Sequence, residues 1–235
     1  MTVTATIAGI HQLTPDVKQF RLVADDHRFT YEVGQHTMVH FENDGEEAAR
    51  PYTAVNLPRS NELVLAIKRY EGGNGSVYMH ERTTGDEVEV EPVDGDLTLQ
   101  TLDRDVAFIA TGTGITPILP MLKQYARGGT GDAHLLFGER DEEHLIFHET
   151  LDQLRSDYRE VTLDYVLSEP ADSWHGRTGH VQEHVPDALG DLDATDVYVC
   201  GVPDMVVETT DLLTEAGVDE GDVYTEGWES EAAGD

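Results

Sequence analysis

The pattern of predicted secondary structure changes near residue 100, and this change constrains the fold more than any other feature. Before it, short runs rich in β-branched and aromatic residues alternate with turn signals such as Gly34, Gly45 and Asp94-Gly95. Many short strands at this spacing are typical of an antiparallel barrel. The predicted strands are Val3–Ile10, Val17–Leu22, Thr37–Phe41, Tyr52–Asn56, Leu63–Ile67, Val88–Val90 and Leu97–Leu99, with one short helix near Gly75–Arg82.

After residue 104, predicted strands alternate with predicted helices, which indicates a parallel, doubly wound sheet. The strands are Val106–Ala110, Ala133–Phe137, Val161–Leu167, Val197–Cys200 and Val223–Glu226. The helices run to about Arg127, over Phe147–Asp157, and from Pro203 to about Ala216. We therefore expect a β-barrel domain over 1–101 and an α/β domain over 102–235. Ligands of such sheets bind at the carboxyl ends of the strands, which directs attention to Thr111–Pro117, Gly138–Asp141, Ser168-Glu169 and Cys200–Met205.

The charge of the chain is strongly negative. Forty-seven Asp and Glu face 15 Lys and Arg, for a formal net charge of −32. Such self-repulsion destabilises a compact fold in dilute buffer, but at molar salt the screening length falls to about 3 Å. The dispersed acids indicate a salt-adapted, halophile-like protein, and an ordinary acidic protein is the alternative. Nucleic-acid binding is disfavoured, because phosphate affinity needs basic surface.

Cys200 is the only cysteine, so the chain has neither an internal disulfide nor a four-cysteine iron–sulfur site. We see no signal peptide and no apolar stretch of about 18 residues, and so expect a cytoplasmic protein without membrane insertion. The 11 histidines have scattered spacings. His144 and His148 could share a helix face, but without a further ligand set we predict no metal site.

The first motif is Arg50-Pro51-Tyr52-Thr53. Pro51 forces Arg50 into an extended conformation, and alternation along a strand puts Arg50 and Tyr52 on one face and Thr53 on the other. A planar guanidinium suits a pyrophosphate, and a tyrosine ring offers a flat apolar plate to a flavin. Plain strand packing is the alternative interpretation.

Two glycine-rich segments follow. Gly72-Gly73-Asn74-Gly75-Ser76 precedes the short predicted helix, where backbone N–H groups can meet phosphate and Ser76 fits an N-cap or a phosphate contact. Thr111-Gly112-Thr113-Gly114-Ile115-Thr116-Pro117 follows a buried strand and resembles a dinucleotide loop. Pro117 replaces the third glycine of the usual fingerprint and fits the first position of the helix. Tight turns without a ligand are the alternative for both segments.

Two further segments lie at strand ends. Cys200-Gly201 lies at the end of a predicted strand, and Met205 lies in the next predicted helix. Because it has no side chain, Gly201 permits close approach of a flat ring. A buried packing role is the alternative for Cys200. Near the C-terminus, Glu226-Gly227-Trp228 offers a carboxylate and an aromatic ring that could cover a flavin face, or else belongs to a frayed acidic tail.

In their order and spacing, these motifs together resemble the ferredoxin–NAD(P)H reductase family, over roughly residues 5 to 228. The resemblance implies a six-stranded antiparallel FAD-binding barrel followed by a nucleotide-binding domain. It implies FAD as cofactor, NADH or NADPH as co-substrate, and ferredoxin or a similar one-electron carrier as partner.

The resemblance also implies roles for particular residues. Arg50 would bind the FAD pyrophosphate, Tyr52 would stack on the isoalloxazine, and Thr53, Cys200 and Glu226 would be catalytic. The implied FAD-binding residues are Arg50, Pro51, Tyr52, Thr53, Ile67, Lys68, Gly73, Gly75 and Ser76, with Trp228 as the terminal aromatic. The implied nicotinamide-nucleotide residues are Thr111, Gly112, Thr113, Gly114, Pro117, Arg140, Ser168, Glu169, Cys200, Gly201 and Met205.

One departure concerns the choice of nucleotide. NADP-using members of the family often follow the strand serine with arginine, whereas here Ser168 precedes Glu169. A carboxylate repels a 2′-phosphate but accepts hydrogen bonds from a ribose diol, which favours NADH. Arg140 and Arg177 remain alternative sources of positive charge.

The function expected from the resemblance is hydride transfer between NAD(P)H and bound FAD, with electrons exchanged with a ferredoxin-like carrier. Within the enzyme class, the alternative is the reductase component of an oxygenase or a free-flavin reductase. In another class, the chain would be a flavin-holding redox-sensing or interaction subunit with little turnover.

Overall fold

The computed structural model describes residues 2–43, 45–58, 60–190, 192 and 194–227. The chain divides into two compact units, one up to Thr98 and one beginning at Leu99. Among the described residues, no helix is long and apolar enough to cross a membrane.

The first unit is built on six antiparallel strands. They are β1 (Val3–Gln12), β2 (Val17–Val23), β3 (His36–Asn43), β4 (Glu46–Thr53), β5 (Glu62–Lys68) and β6 (Glu87–Val90), in the sheet order β4-β3-β6-β1-β2-β5. The ends of this order meet, because Ala54 bridges Leu65 and the Val55 N–H donates to the Val64 carbonyl at 2.8 Å. The sheet therefore closes into the predicted barrel. Helix α1 (Asn74–His80) precedes β6.

The barrel core is a cluster of fully buried apolar side chains. Phe20, Leu22, Leu63, Leu65 and Met79 are each 0% exposed. Alternate residues of β2 and β5 supply most of them, and Met79 brings α1 onto the same cluster. The alternation of apolar and polar residues along these strands therefore indicates which face of each strand points inward.

Of the strands predicted before residue 100, one is absent and one differs in its bounds. Leu97–Leu99 is not a strand; Leu97 is buried without joining a ladder. The strand predicted at Tyr52–Asn56 is β4, which begins at Glu46 because its tight hairpin with β3 pairs Asn43 with Glu46. Pairing geometry extends the ladder through polar residues that carry no apolar signal.

The second unit alternates strands and helices. The strands are β7 (Asp105–Thr111), β8 (Ala133–Glu139), β9 (Val161–Leu167), β10 (Arg177–Thr178), β11 (Thr195–Gly201) and β12 (Val223–Gly227). The helices are α2 (Ile115–Gly128), α3 (His148–Asp157), α4 (Val185–Leu189) and α5 (Pro203–Glu215). All strand pairs are parallel, in the order β10-β9-β8-β7-β11-β12, which confirms the predicted doubly wound sheet.

The strand order reverses direction at one place. From β7 the chain steps to β8, β9 and β10 on one side, and then returns to β11 and β12 on the other. The carboxyl ends of β7 and β11 therefore flank a topological switch point, the usual ligand position of open parallel sheets. The loops that begin at Thr111 and Gly201 both lie there.

Two local expectations in this unit need correction. Pro117 is the third residue of α2, not the first, because Gly112–Gly114 forms a 3-10 turn that leads into the helix. Proline is tolerated there, since N–H groups of the first turn have no intrahelical acceptor. Strand β10 and helix α4 had no counterpart in the predicted elements, because both are very short.

Candidate functional site

Arg50 and Tyr52 lie two residues apart on β4, opposite Val39 and Thr37 of β3. Their side chains therefore point to the same face of the strand, as the alternation predicts. Tyr52 is half-buried and packs against the barrel core. Thr53 points to the other face and is 5% exposed. The Arg50 guanidinium donates to the Ala49 carbonyl at 3.1 Å.

Gly75, in the first turn of α1, lies against these two side chains. A β-carbon at this position would lie 2.8 Å from Arg50 Cγ and 3.0 Å from both the Tyr52 hydroxyl and Phe41 Cε1. The lack of a side chain thus lets the first turn of α1 approach Arg50 and Tyr52. Phe41 was not among the predicted site residues, because an aromatic residue in a barrel strand has the signal of ordinary core.

Ser76 is not an N-cap. Helix α1 begins at Asn74 after the N-cap Gly73, so Ser76 is its third residue. Its side chain is buried, accepts from the Tyr70 N–H at 3.3 Å and lies 3.5 Å from the Gly73 carbonyl. The hydroxyl therefore braces the glycine-rich turn from inside.

Three further predicted FAD-binding residues lie on β4 and β5 of the first unit. Pro51 lies between Arg50 and Tyr52 on β4. Ile67 ends the buried part of β5, and its carbonyl is 2.8 Å from His80 Nε2. Lys68 follows it and forms an ion pair with Asp16 at 3.3 Å.

In the second unit, the two glycine-containing loops of the switch point touch each other. A β-carbon on Gly114 would overlap the carbonyl oxygen of Cys200. One on Gly201 would overlap Thr111 Oγ1 and the terminal methyl of Met205. These glycines are thus required by close approach of the ends of β7 and β11. The structure brings together Thr111, Gly114, Cys200, Gly201 and Met205, as predicted from two distant segments.

Gly112 and Gly138 lie at the same carboxyl edge of the sheet, and each is glycine for a different reason. Gly112 has a positive φ of 55° with open space around it, so its conformation and not its surroundings favours glycine. Gly138 is the last residue but one of β8, and a β-carbon there would lie 2.5 Å from Val181 Cγ1 and 3.1 Å from Thr111 Cγ2. Gly138 begins one of the strand-end segments singled out in the sequence, although no binding role is predicted for it.

Glu226 pairs in register with Cys200, so the two side chains lie side by side on one face of the sheet. Cys200 is fully buried, and Glu226 is partly buried. Trp228, the predicted terminal aromatic, lies outside the described residues.

Arg140, Ser168 and Glu169 meet at the carboxyl ends of β8 and β9. The Ser168 N–H donates to the Glu139 carbonyl at 3.1 Å, and the Glu169 N–H donates to the Arg140 carbonyl at 2.7 Å. Ser168 and Glu169 are exposed. The Arg140 guanidinium forms an ion pair with Asp141 at 3.0 Å and lies 2.9 Å from His144 Nε2.

His144 and His148 do not share a helix face. His144 lies in a short 3-10 turn, whereas His148 begins α3 after Phe147, whose φ of 60° breaks the path between them. His144 contacts Asp141 at 2.6 Å, and His148 contacts Asp152 at 3.4 Å. Within the described part of the chain, no three His, Cys, Asp or Glu residues form a group that could hold a metal ion.

Comparison with known proteins assigns both units. A model of the oxidoreductase FAD-binding domain matches residues 4–98, and a model of the oxidoreductase NAD-binding domain matches residues 108–211. Ferredoxin–NADP reductase B of Sorangium cellulosum is 34% identical over 94% of this chain and 96% of its own length. Phenol hydroxylase P5 protein of Acinetobacter pittii is 31% identical over 98% of this chain and 66% of its own length.

Solved structures share the fold at lower identity. A ferredoxin NADP+ reductase from Neisseria gonorrhoeae with bound FAD and NADP is 19% identical, with a TM-score of 0.83 over 96% of this chain and 98% of that one. An Amycolatopsis cytochrome P450 reductase is also 19% identical, with a TM-score of 0.89 over 98% of this chain and 71% of that one. With its antiparallel barrel, its parallel sheet and both domain matches in the same order, this chain belongs to the ferredoxin–NAD(P)H reductase family of FAD- and nicotinamide-dependent oxidoreductases.

Proposed function

We propose that this chain transfers hydride between a nicotinamide nucleotide and bound FAD, and exchanges electrons with a ferredoxin-like one-electron carrier. The observation that carries the proposal is the pair of close backbone approaches at Gly75 and Gly114, one in each matched domain. When bound, FAD supplies the chemistry that couples two-electron nicotinamides to one-electron carriers. The residues of this chain bind and orient the FAD and the nicotinamide nucleotide.

The FAD-binding roles rest on the surfaces around Gly75. Arg50 offers a guanidinium that suits a pyrophosphate, beside the first turn of a helix whose N–H groups suit the same anion. Tyr52 offers a ring for stacking, and Thr53 a hydroxyl for the flavin N5. We assign supporting contacts to Pro51, Ile67, Lys68, Gly73 and Ser76, and the second flavin face to Trp228.

The nicotinamide nucleotide belongs at the switch point of the second unit. The loop of Thr111, Gly112, Thr113, Gly114 and Pro117 would hold its phosphates at the start of α2, a helix of 14 residues. Cys200 and Gly201 would lie against the nicotinamide with Met205 behind them, and Glu226 would handle a proton or orient the ring. We also propose that residues 1–101 form the FAD-binding domain and residues 102–235 the nucleotide-binding domain.

We favour NADH over NADPH as co-substrate. Glu169 lies exposed beside Ser168 at the carboxyl end of β9, where a carboxylate suits a ribose diol. The two arginines that could attract a 2′-phosphate are already paired: Arg140 with Asp141 at 3.0 Å and Arg177 with Asp164 at 3.3 Å. Drawing either guanidinium to a phosphate would break that ion pair and leave the carboxylate with a histidine alone, Asp141 with His144 and Asp164 with His134.

A second candidate function is the reductase component of an oxygenase, which the similarity to the phenol hydroxylase P5 protein favours. A free-flavin reductase is a further variant, and a redox-sensing subunit with little turnover is the alternative outside the enzyme class. We place the protein in the cytoplasm of a salt-adapted cell, in keeping with its net charge of −32.

The experiment is an anaerobic stopped-flow comparison of NADH and NADPH on the FAD-loaded chain, followed by addition of ferredoxin. We expect rapid bleaching of the flavin absorbance by NADH and reoxidation by ferredoxin. Reoxidation by free flavin or by an oxygenase component, and not by ferredoxin, would favour the second candidate. A yellow protein inert to both nicotinamides would indicate the sensing subunit, and a chain that cannot be loaded with FAD would contradict every candidate.

A further inference from the structure

Strand β12 carries Glu226 but forms the end of the parallel sheet. It spans five residues, Val223–Gly227, and β11 is its only neighbouring strand in the described sheet. A short edge strand is prone to fray, because one side of its backbone lacks a partner strand. The position of Glu226 beside Cys200 therefore depends on what holds β12 in place.

The first support is Arg104, which precedes β7 and reaches the residue immediately before β12. Its Nη1 and Nη2 donate to Oδ1 and Oδ2 of Asp222, both at 2.7 Å, which is a bidentate ion pair. Arg104 Nη1 also lies 2.9 Å from the carboxylate of Asp196, which is 1% exposed on β11, and Nε donates to the Ala194 carbonyl at 3.0 Å. One guanidinium thus ties the start of β12 to the start of β11.

The second support is a ladder of three aromatic rings across β7, β11 and β12. Tyr198 pairs in register with Phe108 on one side and with Tyr224 on the other. The ring centroids are 5.2 Å and 5.1 Å apart, with interplanar angles of 29° and 23°. Because side chains alternate along a strand, this ladder lies on the face that carries Cys200 and Glu226 one pair further along.

We infer that Arg104, Asp222 and Tyr224 are positioning residues for the hydride-transfer site: they fix the register of β12 so that the Glu226 carboxylate lies beside Cys200. The inference rests on the proposed function, since it assumes that Glu226 acts in the reaction. Asp222 and Tyr224 lie four and two residues before Glu226, and each fixes the strand through an independent contact.

Asp222→Ala is the variant that tests this role. Replacing Arg104 would remove the ion-pair partner of the buried Asp196 carboxylate and destabilise the fold. Asp222→Ala, in contrast, keeps the Arg104–Asp196 pair. Glu220→Ala is the matched control, because it removes the same charge from an exposed side chain in the same short turn. Asp222→Glu restores the carboxylate and tests for rescue.

We expect Asp222→Ala to keep its FAD content and its KM for NADH, while the rate of flavin reduction falls by about 10- to 100-fold. Hydrogen exchange of the amides of β12 in the FAD-loaded protein should accelerate in Asp222→Ala and stay unchanged in Glu220→Ala. Asp222→Glu should recover part of the rate.

A double-mutant cycle separates positioning from general stability. In a Glu226→Gln background, Asp222→Ala should slow flavin reduction by less than about twofold, because both changes act through one carboxylate. Losses that multiply, or a rate for Asp222→Ala equal to that of Glu220→Ala, would overturn the inference alone. A wild-type chain that binds FAD but is reduced by neither nicotinamide would overturn the proposed function, and the inference with it.

Discussion

A β-carbon on Gly114 would occupy the same space as the carbonyl oxygen of Cys200. The start of α2 and the end of β11 are therefore in backbone contact at the switch point, and neither can move aside without displacing a helix or a strand of the sheet. We expect Gly114→Ala to lower the free energy of unfolding by about 2 kcal/mol or more and to weaken nicotinamide binding. Urea unfolding and a nicotinamide titration followed by flavin absorbance measure the two effects.

Gly112→Ala is the control for the predicted loss of stability. Gly112 has a φ of 55°, and among the described residues no atom from another part of the chain lies within 4 Å of the place that a β-carbon would take. Alanine there therefore costs only backbone strain of about 1 kcal/mol. Equal losses of unfolding free energy in the two variants would show that the contact with Cys200 is not what requires glycine at 114.

Gly75→Ala should weaken FAD binding. The added methyl would lie 2.8 Å from Arg50 Cγ, so it would push Arg50 and Tyr52 away from the first turn of α1. We expect a loss of about tenfold in FAD affinity, which corresponds to roughly 1.4 kcal/mol, measured by titrating apoprotein with FAD. Gly9→Ala in β1 has open space and should bind FAD as the wild type does; an unchanged affinity in Gly75→Ala would contradict the assignment.

Glu169→Arg should raise the efficiency with NADPH relative to NADH. The exposed carboxylate beside Ser168 repels a 2′-phosphate, and arginine in its place offers a planar fork to that phosphate. We expect the ratio of the two kcat/KM values to shift by about tenfold or more, or roughly 1.4 kcal/mol. Glu215→Arg makes the same change of charge at the far end of α5 and should leave the ratio unmoved. If Glu169→Arg also leaves it unmoved, the ribose lies elsewhere.

Salt should stabilise the protein. With a net charge of −32, mutual repulsion opposes the compact state, and raising the salt from about 0.1 M to 1 M shortens the screening length from about 10 Å to 3 Å. We expect the melting temperature to rise steadily with KCl over this range and above it. A melting temperature that is flat or falls with KCl would contradict salt adaptation.

Asp141 should contribute stability that disappears in acid. Burial alone would raise its pKa, but hydrogen bonds with His144 and Arg140 outweigh burial and lower the pKa from 3.8 to about 2. Since the folded pKa is the lower one, the contribution is complete above about pH 5 and is lost as the pH falls toward 2. Asp141→Asn keeps an acceptor for the N–H groups of Glu143 and His144 but cannot ionise. The wild type should be the more stable at pH 7, and this difference should shrink below pH 4 in urea unfolding.

The predicted fold was correct where the sequence carried a strong periodic signal. The buried runs of β7, β8, β9 and β11 and the helices after Pro203 and Ile115 were all anticipated. The errors lie where pairing decides the structure. The polar half of β4 is a strand only because β3 lies beside it, and Leu97 is buried without a partner strand. No local pattern records either fact.

For the site, the sequence identified the loops but not all of their neighbours. Gly75, Gly114 and Gly201 were singled out as glycines at ligand-binding turns. Phe41 and the guanidinium of Arg104 were not, because their importance lies in residues brought near them from other elements.

The amino-acid order alone determined the succession of a barrel and a parallel sheet, the glycine-rich turns and the acidic surface, because each depends on periodicity, chain direction or composition. Only the tertiary structure decided that Cys200 meets Gly114, that both Arg140 and Arg177 are paired with carboxylates, and that Arg104 holds the strand of Glu226. Those contacts join residues far apart in the chain, and their geometry is set by the register and order of the strands, which local sequence does not encode.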